Sequence, residues 1–325
     1  MRAIVAGILG VVVMNAFAEV SKDARLAIRN GAVGRYTYRV VDEGGSVVPN
    51  ARAHVWFRSY GRPQDNSDWE VESDSNGMFT VEHRFNERFS VAFDKNGYYH
   101  SHDEVNYLAM PELPVKDGKW QPYDQVRTMV LKRIKSPGAV GVFCEDSHRL
   151  RIPIWGEWIG FDFELGDWVP PYGNGKFTDV LLRFHSEVRK RRVDFSYAMD
   201  VCFTNNPFGG AYQMKFDERS DLRTQYQADT NRAYQSTFSF STECSPGKAV
   251  ISNFVDSDSY LVFRTRTRVD RTGNLVGAHY GKICGIWRST HKEMLLSDGC
   301  FNSKENDPNI EGDQTLLYTL RNYKK

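Results

Sequence analysis

The sequence has 325 residues, 41% of them hydrophobic and 26% charged, an ordinary globular composition with ample material for buried cores. A formal net charge of +1 excludes the strong overall field that binding to nucleic acid requires, so we expect no nucleic-acid partner. At about 150 residues per domain, the length predicts two domains.

Residues 1–18 are typical of a secretory signal peptide. Arg2 is followed by an apolar run from Ala3 to Met14, and the segment ends in Ala16-Phe17-Ala18. One positive charge, a short hydrophobic stretch and an Ala-x-Ala ending predict cleavage before Glu19. The run is shorter than the roughly 20 apolar residues that span a bilayer, so we expect no stable membrane span after cleavage. The expected location is secreted or periplasmic, with the cell surface as an alternative.

Short alternating strands separated by glycine turns predict a β-sandwich over residues 34–134. Residues 20–33, before it, are compatible with a short helix or a flexible lead-in. The alternating run Val126–Lys132 is expected to close the module. Ser136-Pro137-Gly138, after a charged stretch, predicts a linker, and we place the domain boundary near residue 137.

The order of turns and strands in this module resembles the carboxypeptidase regulatory-like domain. The resemblance rests on Asp42 with its glycine turn, Pro49-Asn50-Ala51 before the second strand, Asp74-x-x-Gly77-x-Phe79, and Lys95-x-Gly97-Tyr98. It implies a sandwich of the immunoglobulin-like or prealbumin-like kind. It also implies an accessory module without catalytic residues of its own.

Residues 139–325 predict a second β-rich domain, so the expected fold class is all-β with two sandwich domains. Its clearest element is a hairpin with strands Tyr260–Val269 and Leu275–Ile283 around a turn at 270–274. Gly160-Phe161-Asp162 and Ala278–Ile283 are among the motifs that resemble uncharacterised secreted bacterial β-rich proteins. That resemblance implies architecture and no activity.

All five cysteines lie beyond the first module. In an oxidising compartment, Cys284 and Cys300 are the preferred disulfide pair, since a hairpin can bring them together. The alternative is that all five are small buried hydrophobic residues. None has the Cys-x-x-Cys or Cys-x-x-His spacing of a zinc site, so no metal and no cofactor is expected.

An acidic and aromatic segment of the second domain contains the candidate catalytic residues. Paired carboxylates beside tryptophan are what a glycosidase needs, and the same oxygens could hold calcium. The alternative is turn chemistry, with Asp162 and Glu164 on the solvent face of a strand whose apolar residues point inward. The four acids and the neighbouring candidate binding residue are Asp162, Glu164, Asp167, Asp179 and Trp168.

Two further groups have alternative interpretations. Arg264, Arg266 and Arg268 form a period-two stripe on the clear hairpin, and Arg189–Arg192 forms a basic turn. Either could bind an anionic polysaccharide, or pair with acidic residues, or protect a strand edge by charge. His100-Ser101-His102-Asp103 could bind a metal, but two histidines after a turn are more often simply exposed.

We therefore expect an exported, non-catalytic protein with a binding, adhesion or structural role. Its expected partner is a cell-envelope glycan or another secreted protein. The alternative is an enzyme that acts on polysaccharide through the four acids. A third hypothesis is an accessory subunit that docks through an exposed strand edge. Motifs of serine hydrolases, zinc proteases and P-loop proteins are absent from the sequence.

Overall fold

The computed structural model describes residues 21–137, 141–144, 148–204, 207–253, 255, 257–285 and 287–312. The predicted signal peptide, residues 1–18, lies outside the described residues. The chain divides into two compact units: residues 1–134 with 219–221, and residues 135–218 with 222–325. Strands dominate both units, which confirms the all-β sandwich prediction.

The first unit begins with a short helix, α1, whose N-cap Ser21 accepts a hydrogen bond from the backbone N–H of Ala24 at 3.1 Å. Short 3-10 turns lie at Pro63–Asp65 and Tyr107–Ala109. The regular elements of the unit are α1 (Lys22–Asn30), β1 (Ala32–Asp42), β2 (Arg52–Arg58), β3 (Ser67–Glu72), β4 (Met78–Phe85), β5 (Arg88–Asp94), β6 (Ser101–Asn106), β7 (Val115–Lys116), β8 (Lys119–Trp120) and β9 (Gln125–Leu131).

Two sheets form the first unit. In one, β1 pairs with β4 in antiparallel fashion and with β8 and β9 in parallel, and β7 continues the sheet from β8. The other has the order β3-β2-β5-β6. Alternate residues of β1 and β2 point into one shared core, where the Tyr36 ring stacks on Phe89 at 3.8 Å. The opposite face of β2 is left outside the core.

The turn before β4 shows why glycine is required there. Asp74 accepts backbone hydrogen bonds from Asn76 and Met78, both at 2.8 Å, and Gly77 has a φ of 71°. A Cβ on Gly77 would lie 2.6 Å from the carbonyl oxygen of Val40 on β1. Only glycine combines this conformation with so close a backbone approach.

The second unit contains strands throughout the part of the chain that is described. They are β10 (Gly141–Cys144), β11 (His148–Arg151), β12 (Trp158–Asp162), β13 (Asp167–Trp168), β14 (Val180–Lys190), β15 (Asp194–Phe203), β16 (Gly210–Lys215), β17 (Thr237–Cys244), β18 (Ile251–Ser252), β19 (Ser259–Val269), β20 (Leu275–Ile283), β21 (Trp287–Ser289), β22 (Glu293–Leu296) and β23 (Gly299–Asn302). The predicted hairpin is confirmed as β19 and β20, with its turn where expected.

These strands form three sheets, ordered β13-β12-β14-β15-β17-β18, β10-β23-β20-β19-β16 and β11-β22-β21. The main core contains side chains from all three, with Phe161 and Phe184 from the first sheet and Phe263 from the second. A second cluster, with Tyr260 and Val262, covers the other face of β19. Because both faces of β19 are covered, its residues from Ser259 to Thr265 are continuously buried.

The bulge in β19 changes which side chains share a face. The β19–β20 register shifts between Thr265 and Arg268, and Arg266 has a φ of 51°. Thr265 and Arg266 are consecutive, yet both donate hydrogen bonds to Asp179. The bulge therefore breaks the period-two arrangement that the sequence predicts for Arg264, Arg266 and Arg268.

The structure describes the side chains of four cysteines. Cys202 and Cys244 are thiols on neighbouring strands of the first sheet of this unit. Cys284 directly follows β20, and Cys300 lies on the adjacent strand β23, opposite Lys282. The Cys284–Cys300 disulfide stays a prediction.

Candidate functional site

Three of the four candidate acids converge on one arginine. The Arg266 guanidinium donates to Asp179 at 2.9 and 3.1 Å and to Asp162 at 3.0 Å. It also contacts the Glu164 carboxylate at 2.5 Å. The guanidinium carbon lies 4.1 Å from the ring centroid of Phe177 and 4.6 Å from that of Phe301, within the range of cation–π contacts. We call these four charged residues the Arg266 cluster.

Asp162 is 1% exposed, and its carboxylate is fully occupied by hydrogen bonds. One oxygen accepts the backbone N–H groups of Glu164 and Leu165, and the other accepts those of Lys176 and Phe177. Because these bonds form an Asx turn, β12 ends at Asp162 and does not continue to Leu165. The prediction that Asp162 faces solvent is therefore wrong.

Asp179 is 0% exposed, and its carboxylate accepts four hydrogen bonds. Besides the two from Arg266, it accepts the N–H of Phe163 at 2.9 Å and the hydroxyl of Thr265 at 3.0 Å. Burial raises the pKa of Asp179, and the hydrogen bonds and charge of Arg266 offset part of that rise. Burial also acts to lower the pKa of Arg266, but the hydrogen bonds and charges of the acids outweigh it and raise that pKa.

The fourth acid, Asp167, lies outside the cluster. Its oxygens accept the N–H of Trp168 at 2.8 Å and that of Asn174 at 2.9 Å, so it organises the loop that leads back towards Asp162. Asp162 and Asp179 thus accept hydrogen bonds from Arg266 and from backbone N–H groups, whereas the Glu164 side chain is 39% exposed and contacts Arg266 through one oxygen. Such an arrangement fixes the loops that carry Asp162 and Asp179.

The candidate binding residues of this unit fall into three different environments. Trp168 is 3% exposed, and its indole N–H donates to the carbonyl of Arg151, so its ring is a core residue. Arg264 is 5% exposed and donates to the backbone carbonyls of Phe208 and Thr230. Arg268 remains at the surface and forms a forked ion pair with Glu305 at 2.8 Å.

The histidine-rich segment after β5 is distributed over separate contacts. His100 Nδ1 lies 2.9 Å from the Asp94 carboxylate. The hydrogen bond between these two side chains raises the pKa of His100 and lowers the pKa of Asp94. Asp103 accepts the hydroxyl of Tyr38 at 2.7 Å and the guanidinium of Arg127 at 3.0 Å. Among the described residues, no group of three or more His, Cys, Asp or Glu is placed to hold a metal ion.

A second candidate site lies in the first unit, on the outer face of the β3-β2-β5-β6 sheet. The ring of Trp56 stacks on that of His54 at 4.2 Å with an interplanar angle of 20°. Ser90 lies opposite Trp56 on β5, and Arg58 lies opposite Arg88. Like charges directly opposite one another are unfavourable in a sheet, and here each arginine also lies near a carboxylate, Arg58 near Asp68 and Arg88 near Glu104. We call this surface the Trp56 face.

A cavity of about 460 Å³ opens on the Trp56 face. Its ion pairs are long: Arg88 lies 3.4 Å from Glu104 and 3.6 Å from Glu87, and Arg58 lies 3.9 Å from Asp68. The Nε–H of Arg88 is buried and has no acceptor among the described residues. The cavity is lined by Trp56, Arg58, Ser59, Asn66, Glu87, Arg88 and Ser90.

Two features were not predicted from the sequence. One is the Trp56 face, and the other is that Arg266 is the shared partner of Asp162, Glu164 and Asp179. The available signal for the face was the alternation His54, Trp56, Arg58, which places three polar or aromatic side chains on the same side of β2. Within the described residues, no helix is long and apolar enough to cross a membrane.

The fold and site together define an all-β protein with two sandwich units, and comparisons with known proteins add no family to that description. No family model matches the sequence, and no curated protein matches it. Solved structures with local similarity include 3-chlorocatechol 1,2-dioxygenase from Rhodococcus opacus 1CP, with 13% identity, 32% of this chain and 61% of that chain covered, and a TM-score of 0.26.

Two further structures are similar to the same extent. Hydroxyquinol 1,2-dioxygenase from Pseudomonas putida DLL-E4 has 14% identity, covers 32% of this chain and 58% of its own, and has a TM-score of 0.24. Catechol 1,2-dioxygenase from Acinetobacter radioresistens has 10% identity and a TM-score of 0.24, and the match covers 34% of this chain and 54% of the dioxygenase. The match thus spans about 54 to 61% of the length of these structures. Similarity this low identifies no common activity.

Proposed function

We propose that the chain is an exported, non-catalytic β-sandwich protein that binds a glycan of the cell envelope through the Trp56 face. The apolar N-terminal segment with its Ala-x-Ala ending supports export. The Trp56 face is the observation on which the binding role depends, because it combines an accessible aromatic ring with a cavity of suitable size.

The chemistry of the cavity suits a sugar with free hydroxyl groups. A pyranose ring has an apolar C–H face that can stack on Trp56, as apolar groups do on aromatic rings. Each sugar hydroxyl both donates and accepts hydrogen bonds. The cavity supplies donors from Arg58, Arg88 and Asn66, and an acceptor from Glu87. Because cations and carboxylates are mixed on this surface, a neutral glycan suits it better than a strongly anionic one.

The Arg266 cluster supports the non-catalytic part of the proposal. A glycosidase needs one carboxylic acid that donates a proton and a second carboxylate on the other side of the bond that is cleaved. Asp162 and Asp179 are both buried and both hydrogen-bonded to the same guanidinium. The enzyme alternative would require this cluster to open.

The test is titration of neutral envelope oligosaccharides into the wild type and into Trp56→Ala, with Trp158→Ala as the matched control. Trp158 is 43% exposed on the other unit, where the guanidinium of Arg183 lies 4.6 Å from its ring. We expect Trp56→Ala to weaken binding by about tenfold, equivalent to about 1.4 kcal/mol, and Trp158→Ala to leave it unchanged.

Three outcomes would contradict the proposal in different ways. Equal binding by the wild type and Trp56→Ala would place the site elsewhere. No binding across a panel of glycans would reject the binding role. Release of reducing sugar that is lost in Asp179→Asn, with the circular dichroism spectrum retained, would instead support the enzyme alternative.

A further inference from the structure

The β14–β15 hairpin extends beyond the core of the second unit. The last inward-facing residue of β14 in the core is Phe184, and every residue of β14 from His185 to Lys190 is exposed. The hairpin turns between Lys190 and Asp194, where Arg192 has a φ of 64°. We call residues 185–194 the hairpin tip.

Positive charge is concentrated at the hairpin tip. Arg189 forms ion pairs with both Glu187 at 2.7 Å and Asp194 at 2.9 Å, so these three residues together carry one negative charge. The three cations that follow it, Lys190–Arg192, are exposed and form no ion pair with a described residue. The excess charge of the tip is therefore positive, and it lies at the outermost turn.

Exposed aliphatic side chains surround these cations. Val188 is 44% exposed and Val193 is 36% exposed. On β18 of the same sheet, Ile251 is 67% exposed, and Val250, which directly precedes β18, is 56% exposed. The register brings them to the same end of the sheet, on its two faces. Val188 lies opposite Phe195 and Phe195 opposite Cys244, whereas Ile251 lies opposite Glu243, in the neighbouring row whose side chains point to the other face. One end of the sheet thus combines uncommitted cations with large β-branched side chains.

We propose that the hairpin tip docks on the surface of an anionic phospholipid membrane. The cations meet the headgroup charge, and the valine and isoleucine side chains enter the boundary with the acyl chains. A soluble polysaccharide would use the cations but would gain nothing from exposed aliphatic groups, which favours the membrane. This inference is independent of glycan binding at the Trp56 face, which lies in the other unit.

The test is co-sedimentation of the purified protein with vesicles of phosphatidylcholine, either alone or mixed with phosphatidylglycerol. Four cations and two carboxylates give the tip a net charge of +2. At about 1 kcal/mol per charge near an anionic surface, this predicts a preference for the mixed vesicles of roughly thirtyfold at low salt, decreasing as salt is added. Lys190→Gln/Arg191→Gln/Arg192→Gln should abolish the preference. Val193→Ser/Ile251→Ser should weaken binding and leave more salt-sensitive attachment.

The matched control removes three exposed cations from elsewhere in the same unit, as Lys176→Gln/Arg271→Gln/Lys292→Gln. We expect this variant to sediment like the wild type, since its net charge equals that of the tip variant. Equal loss in the control would mean that bulk charge drives binding, and no preference for anionic vesicles would reject the proposal outright. Capture by a soluble anionic polysaccharide, with Val193→Ser/Ile251→Ser unaffected, would assign the tip to a glycan and also overturn it.

Discussion

Replacing Arg266 with methionine removes the cation shared by three carboxylates of the second unit. Asp162 and Asp179 are 1% and 0% exposed, so neither can recover its hydration when the guanidinium is lost. Breaking a buried ion pair by removing one partner costs about 3–5 kcal/mol. We therefore expect Arg266→Met to lower the free energy of unfolding by that amount, a large share of a typical domain's stability.

The control is Arg268→Met, which removes the same chemical group two residues away. Arg268 is 63% exposed at its side chain, and its forked pair with Glu305 is at the surface. Exposed pairs contribute about 1 kcal/mol or less. Urea-induced unfolding of both variants, followed by near-ultraviolet circular dichroism, measures the difference. Costs within about 1 kcal/mol of each other would refute the interpretation of the cluster as a buried structural network.

A double variant separates loss of charge pairing from loss of packing. In Arg266→Met/Asp179→Asn the most deeply buried carboxylate becomes neutral, so we expect part of the lost stability to return. The pH dependence has a definite sign. Burial raises the pKa of Asp179, and without Arg266 that pKa rises further. A raised carboxyl pKa favours the folded state as pH falls, so the deficit of Arg266→Met should shrink towards acid pH, and that of the double variant, which lacks the Asp179 carboxyl, should shrink less.

Three further predictions concern local interactions. Hydrogen bonds in the hairpin turn lower the pKa of Asp270 to about 2. Its contribution to stability is therefore present above pH 3.8 and is lost as pH falls towards 2. The melting temperature of Asp270→Asn should depend less on pH in this range than that of the wild type. The hydrogen bond to Asp94 raises the pKa of His100 above 6.5, so the contribution of His100 to stability is present below pH 6.5 and is lost as pH rises through the folded pKa. The melting temperature of His100→Asn should vary less with pH than that of the wild type. Equal pH dependence would contradict the pairing. Gly77→Ala should cost more than Gly45→Ala in urea unfolding, since both glycines have positive φ but only Gly77 faces a close carbonyl oxygen.

The sequence by itself determined the strand content and the clearest turns. The β19–β20 hairpin was predictable because alternation and an Asp–Gly–Asn turn are properties of consecutive residues. The turn at Asp74 and Gly77 was predictable for the same reason, since its hydrogen bonds join residues that are two and four positions apart.

Only the tertiary structure decided the environment of the acids. Alternation placed Asp162 on a solvent face, but its partner Arg266 is 104 residues away in the chain, and Asp179 is 87 residues from the same arginine. A bulge in β19 turns Arg266 to the side of Asp179, and no local pattern encodes such a shift of register. Hydrophobic periodicity specifies which residues form strands, whereas the free energy of a buried charge depends on which distant group the packed sheets bring against it.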